Sequence, residues 1–206
     1  MLMNTTFAFD VYGTLIDPLG IATTLRSYVG DKAPAFAQIW RDKQLEYLFR
    51  RALMRVYRDF PTCTRQALTF TDLRLRTSLT ADAVDTLMAR YLQLPAYPDA
   101  AQALALLKAC GHRVYAFSNG HPDDLKPLLR HAGLDTQLDG VVSVHDVASF
   151  KPDPAVYQHF LDCTESAKSS TWLVSGNPFD VLGADAAGWN TALLLMAPSD
   201  RMVVVA

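Results

Sequence analysis

The residues Phe7-Ala8-Phe9 form an apolar run that delivers Asp10 into the turn Val11-Tyr12-Gly13-Thr14-Leu15. A carboxylate at the carboxyl end of a buried strand is placed to act as a nucleophile. In the usual phosphate-transferring version of such a loop, a second acid two residues on protonates the leaving oxygen. Tyr12 stands there instead. A halide leaves as a stable anion and needs no proton, so carbon–halogen cleavage suits this loop better than phosphoester hydrolysis.

Three further clusters carry chemistry-bearing side chains: Ser118-Asn119-Gly120, Lys151-Pro152-Asp153 with Tyr157 six residues after the lysine, and Ser175-Gly176-Asn177-Pro178-Phe179-Asp180. Each alone reads as a turn or a helix cap. All of them follow a short apolar run, and that shared placement gives the set its weight. Asp10 and Asp180 make a poor magnesium site, because a hard divalent cation wants several oxygen ligands. Lys151 is suited to balance their charge instead. The expectation is a site without metal or other cofactor.

The elements that must position these clusters alternate. Strands are expected over 6–10, 113–118, 140–144, 171–175 and 191–196, with helices over 99–109, 122–132, 154–163 and 179–187. Short apolar strands separated by helices predict an α/β fold built on a doubly wound parallel sheet. Residues 17–95 are different, being helical in texture without a convincing strand. An apolar stripe runs from Phe36 through Trp40, Leu45, Leu48, Phe49 and Leu53 to Val56 and Tyr57. A second helix starts at Thr80-Ala81-Asp82-Ala83. This predicts a core domain of 1–16 and 96–206 with a helical cap, 17–95, inserted over the carboxyl ends of the strands. Pro95-Ala96-Tyr97-Pro98 is the expected return hinge.

The 206 residues carry a net charge of −2, which argues against a general nucleic-acid binder. No apolar run is long enough for a bilayer, and the start of the chain lacks a secretion signal, so the cytoplasm is the default compartment. The three cysteines show neither disulfide nor metal spacing and are expected to be small apolar packers. The five histidines match no catalytic position and are expected on the surface or in loops.

Asp10, Ser118, Lys151 and Asp180, in that order, resemble the four motifs of the haloacid dehalogenase superfamily. The stretches Phe9–Leu15, Trp40-Arg41-Asp42-Lys43-Gln44-Leu45-Glu46-Tyr47, Ser118–Gly120, Tyr157 and Ser175–Asp180 narrow the likeness to the type II (S)-2-haloacid dehalogenases. That resemblance implies hydrolysis of a short 2-haloalkanoic acid to a 2-hydroxy acid of inverted configuration, through an ester on Asp10, by a homodimer. It implies that Arg41 receives the halide, and that Ser118 and the backbone N–H groups around Val11, Tyr12 and Asn119 hold the substrate carboxylate. Thr14 then orients Asp10, Lys151 steadies it, and Tyr157 orients the lysine cluster. Asp180, with Ser175 and Asn177, handles the hydrolytic water. Tyr12, Leu45, Phe60 and Phe179 wall in the alkyl end.

Two positions depart from the pattern: Phe179 replaces a frequent tryptophan, and Asp42 a frequent glutamine. Relatives also continue with a further strand and helix, where Met202–Val205 here offers a short edge strand. The alternatives are a phosphatase of the same superfamily acting on a small phosphorylated metabolite, and a binding module that retains the fold without turnover.

Overall fold

The computed structural model describes residues 5–196 and 202–205. Its frame is one six-stranded sheet in the order β3-β2-β1-β4-β5-β6. The strands are β1 (Thr6–Phe9), β2 (Arg113–Ser118), β3 (Gly140–Ser143), β4 (Thr171–Ser175), β5 (Asn190–Met196) and β6 (Met202–Val205). The first five are parallel, and β6 runs antiparallel to β5, with Leu193 opposite Val205. Their apolar composition follows from cover on both faces: Ala8, Val114, Ala116, Phe117 and Leu173 are fully buried. The edge strand expected at 202–205 is present; the connection at 197–201 lies outside the described residues.

Helices α5 (Ala100–Ala109), α6 (Pro122–His131), α7 (Pro154–Thr164) and α8 (Pro178–Ala186) join the strands. The chain order runs outward from β1 in both directions, so the sheet reverses beside β1. Ligands of open parallel sheets bind at that reversal, outside the carboxyl ends of the strands. Asp10, Ser118 and Ser175 all stand at those ends.

Between β1 and α5 the chain makes four helices: α1 (Ala22–Val29), α2 (Ala33–Met54), α3 (Phe60–Leu75) and α4 (Ala81–Tyr91). It leaves and returns side by side, with the Asp17 N–H on the Pro95 carbonyl and the Tyr97 N–H on the Leu15 carbonyl, each at 2.9 Å. Side chains of Asp59 and Thr80 cap α3 and α4. Helix α2 stops earlier than the apolar stripe predicts. Arg55 adopts a left-handed conformation (φ 56°), and the Arg55 and Val56 amides turn back to the Ala52 and Arg51 carbonyls. Val56 and Tyr57 therefore lie beyond the helix, and Leu53 is 85% exposed rather than packed.

Two other expectations are corrected. Only Cys63 is buried, whereas Cys110 and Cys163 are exposed. His121 stands in the loop before α6, as expected, whereas His145 lies half-buried in a 3-10 turn, its ring edge-on to His121 at 4.3 Å and its Nδ1 paired with the Tyr57 hydroxyl of the cap at 2.8 Å.

Candidate active site

Asp10 follows β1 directly and is almost buried, its amide fixed to the Val174 carbonyl at 3.0 Å. Its Oδ1 accepts from the Lys151 Nζ at 2.7 Å and its Oδ2 from the Thr14 hydroxyl at 3.1 Å. Lys151 is fully buried and donates twice more, to Asp180 Oδ2 at 2.6 Å and to the Phe117 carbonyl at 3.1 Å. An ammonium has three protons, and all three are used. One cation thus serves two carboxylates.

The electrostatics follow from that ratio. Burial works against the charge on Lys151, yet the two anions hold its pKa above the ordinary lysine value. Burial pushes Asp180 up to about 6, reinforced by Asp10 and opposed by Lys151 and Arg41. Asp180 is the underserved partner. Its Oδ2 also faces the Ser175 hydroxyl at 3.3 Å, while its buried Oδ1 has no hydrogen-bond partner among the described residues. An anionic oxygen buried without a donor is costly, so this atom is poised to accept a proton.

The loops around this trio are tied to one another. The Ser175 hydroxyl accepts from the Asn177 amide at 3.0 Å, and Asn177 Oδ1 caps α8 by accepting from the Phe179 amide at 3.1 Å. Thr14 accepts from the Gly176 amide at 2.9 Å, linking the first loop to the fourth. A Cβ on Gly176 would lie 2.2 Å from the Gly13 carbonyl oxygen, so only glycine permits that approach. Asn119 Oδ1 accepts from the Lys151 amide at 2.9 Å, which sets the lysine's height. Ser118 is fully buried, and its Oγ accepts from the Gly120 amide at 3.0 Å, leaving its own proton for a ligand. Tyr157 donates to the Asp180 backbone carbonyl at 2.9 Å; it fixes the start of α8 rather than touching Lys151.

The cap completes the site through α2. Arg41 Nη2 donates to the Tyr12 carbonyl and Nη1 to Gln44 Oε1 at 2.8 Å. Asp10, Tyr12, Arg41, Leu45, Leu48, Phe60, Ser118, Asn119, Asn177 and Asp180 enclose a cavity of about 10 Å³. That is the size of one water molecule. Tyr12 stacks between Phe60 (4.9 Å) and Tyr91 (5.6 Å), which joins the floor of the cavity to the cap.

A model of the haloacid dehalogenase-like hydrolases matches residues 5–188. The chain belongs to that family. It is 40% identical over 186 residues to (S)-2-haloacid dehalogenase 4A of Burkholderia cepacia, covering 89% of this chain and 79% of that protein. An (S)-2-haloacid dehalogenase of Xanthobacter autotrophicus is also 40% identical over 185 residues, which is 89% of this chain and 72% of the relative. The crystal structure of an L-2-haloacid dehalogenase from Xanthobacter autotrophicus, with chloropropionic acid covalently bound, superposes with a TM-score of 0.89. That match has 35% identity and covers 96% of this chain and 80% of the other.

For a dehalogenase-like hydrolase, the donor set here is unsuited to a divalent cation. The point where Asp10 and Asp180 converge is filled by an ammonium, and no group of three or more His, Cys, Asp or Glu among the described residues could hold a metal ion. Two expected substrate-binding residues, one of them a wall residue, lie outside the cavity lining. Phe179 is half-exposed, packs on Phe49 with centroids at 4.8 Å, and lies outside the cavity lining. In the first turn of α8 it is rotated by about 100° from Asp180, so the helix that aims the acid inward aims the ring outward. Val11 is buried, but it does not line the cavity, and its carbonyl closes the turn by accepting from the Leu15 and Ile16 amides. Asp42 faces solvent and accepts from Gln38 at 2.8 Å, so it does not oppose the charge of Arg41.

Sequence reading missed Gln44 and Tyr91. Gln44 is fully buried: its Oε1 accepts from Arg41 and from the Tyr91 hydroxyl (3.0 Å), and its Nε2 donates to Thr64 at 2.6 Å. The available signal was a neutral polar residue interrupting the apolar stripe, three positions after Arg41.

Proposed function

We propose that the protein hydrolyses short (S)-2-haloacids to (R)-2-hydroxy acids through an ester on Asp10. The observation that carries this reading is the cavity lining itself: Asp10 faces Arg41, and Tyr12 stands where a second acid would protonate a leaving oxygen. The names of the relatives support the substrate class, and the covalently bound chloropropionic acid in the Xanthobacter structure supports a covalent route.

The substrate carboxylate sits against the Ser118 hydroxyl and the amides of Tyr12 and Asn119, as charge-assisted hydrogen bonds favour. Oδ2 of Asp10 is the attacking atom. Its one partner is a neutral hydroxyl at 3.1 Å, whereas Oδ1 is held by an ammonium at 2.7 Å. An electron pair of Oδ2 forms the bond to C2 as the halide departs with the C–X pair toward Arg41, whose guanidinium is weakly hydrated. C2 inverts once. Water then adds to the Asp10 carbonyl carbon and gives a proton to Oδ1 of Asp180, while Lys151 stabilises charge developing on Oδ1 of Asp10. Collapse expels the 2-hydroxy acid oxygen, which takes the proton back from Asp180; Asp10, left as the carboxylic acid, gives up the second water proton through Asp180 to solvent, which restores its carboxylate.

In this reading residues 17–95 act as the cap and 1–16 with 96–206 as the core, supported by the paired exit and return of the chain. Family resemblance supports a homodimer, and three free cysteines suit a reducing cytoplasm. No helix of the described residues is long and apolar enough to cross a membrane.

The test is halide release from each 2-chloropropionate enantiomer with chelator present, run beside a phosphomonoester with Mg²⁺. Turnover of the (S) form alone is expected, and Asp10→Asn should bring it to background. Metal-dependent phosphate release would support the phosphatase instead; inactivity in both assays would leave only the binding module.

A further inference from the structure

Next to the reaction cavity lies a groove of about 440 Å³, lined by Phe49, Ala52, Leu53, Pro152, Pro154 and Phe179. Two segments, α2 and the start of α8, line both spaces. Helix α2 gives Leu45 and Leu48 to the cavity and then Phe49, Ala52 and Leu53 to the groove. The start of α8 gives Asn177 and Asp180 to the cavity and Phe179 to the groove. The loop whose lysine bridges Asp10 and Asp180 continues directly into Pro152 and Pro154. On the groove side α2 and α8 meet through an aromatic contact between cap and core, Phe49 on Phe179 at 4.8 Å and 49°.

The chemistry of the groove differs from that of the cavity. Leu53 is 85% exposed and Phe179 52%, an apolar surface left open beside a site that is otherwise closed. Its one carboxylate is occupied by its own loop: Asp153 accepts from the Ser149 hydroxyl at 2.7 Å and the Ala155 amide at 2.9 Å. Arg55 is exposed, and its methylenes add to the apolar wall. A cavity of about 10 Å³ has no room for alkyl carbons beyond the reacting centre, whereas the groove has the volume and apolar lining of a small-molecule site.

We propose that this groove is a second, apolar subsite that receives the alkyl tail of 2-haloacids longer than 2-chloropropionate, with Phe49 and Phe179 parting to let the tail through. It rests on the dehalogenase reading and names a longer-chain substrate class for it. The acid head and halogen stay over Asp10, and the tail crosses the aromatic contact between α2 and α8.

The experiment compares kcat/KM for (S)-2-bromopropionate and (S)-2-bromooctanoate in the full chain, in Leu53→Glu and in Phe179→Ala. The unaltered protein is expected to turn over both. Leu53→Glu should lower the octanoate-to-propionate ratio by about tenfold, because the tail then meets an ion. Phe179→Ala should raise it by removing half of that contact. Leu53 is so exposed that its substitution leaves the core intact. Background rates on bromooctanoate beside normal bromopropionate turnover would overturn the subsite alone, as would a ratio that neither variant moves. Absence of halide from both substrates would overturn the dehalogenase reading and the subsite with it.

Discussion

Asp180 has Oδ2 held by Lys151 and Ser175 and Oδ1 free of any hydrogen-bond partner among the described residues. Burial raises its pKa from 3.8 to about 6. It must be ionised to accept a proton, so turnover should fall as pH drops through about 6, most sharply in ester hydrolysis. Stability moves the other way. A carboxyl whose folded pKa exceeds its unfolded value contributes stability below 3.8 that is lost as pH rises through about 6. Asp180→Asn, neutral throughout, should therefore gain on the parent protein across that window in denaturant titrations, while rapid-quench experiments show ester accumulating. A flat stability difference would contradict the assignment. Gln44→Leu tests the support of Arg41. It strands the Tyr91 hydroxyl, Thr64 and one guanidinium N–H, costing about 1–3 kcal/mol. Halide release should slow more than ester hydrolysis, which separates a positioning loss from general destabilisation.

Helix α8 carries Asp180, and its seat on α7 decides where that carboxylate points. A Cβ on Gly183 would lie 2.2 Å from the Tyr157 hydroxyl and 2.6 Å from Pro152. Gly183→Ala should thus push α8 away, break the bond from Tyr157 to the Asp180 carbonyl, and cost about 1–3 kcal/mol as overpacking. Thermal denaturation and kcat together check it; Tyr157→Phe in the same background should recover only part of the loss, since Pro152 at 2.6 Å and the Tyr157 ring at 2.8 Å still crowd the methyl. At this scale the sheet was legible because buried parallel strands need continuous apolar runs, and the site clusters because they follow those runs. The cap was legible only in part. Helix α3 carries Thr62, Thr64, Thr69 and Thr71 among its apolar residues, which blurs the helical period. Helix α2 ends at a left-handed arginine that hydropathy does not mark. That Phe179 lines the groove and not the cavity was not legible, because sequence proximity to Asn177 and Asp180 carries no information about rotation around α8.

Across the molecule, cap and core meet over a cavity of about 10 Å³. No haloacid fits there, so substrate binding requires α2 to move relative to α8. The contacts that must give include Arg41 on the Tyr12 carbonyl, Tyr12 on Phe60 and Tyr91, Tyr57 on His145 and Phe150, and Phe49 on Phe179. Tyr57→Phe removes one neutral hydrogen bond, worth about 1 kcal/mol. If closure limits productive binding, KM for 2-chloropropionate should rise several-fold with kcat little changed; an unchanged KM would place closure outside the binding step.

Lys151 is fully enclosed, whereas Lys32, Lys108, Lys126 and Lys168 are not. Amine-directed coupling to a solid support should therefore attach the protein through its rim and spare the amine that bridges Asp10 and Asp180. Protein tethered this way should retain halide-releasing capacity, and peptide mapping after trinitrophenylation should find position 151 unlabelled until the chain is denatured.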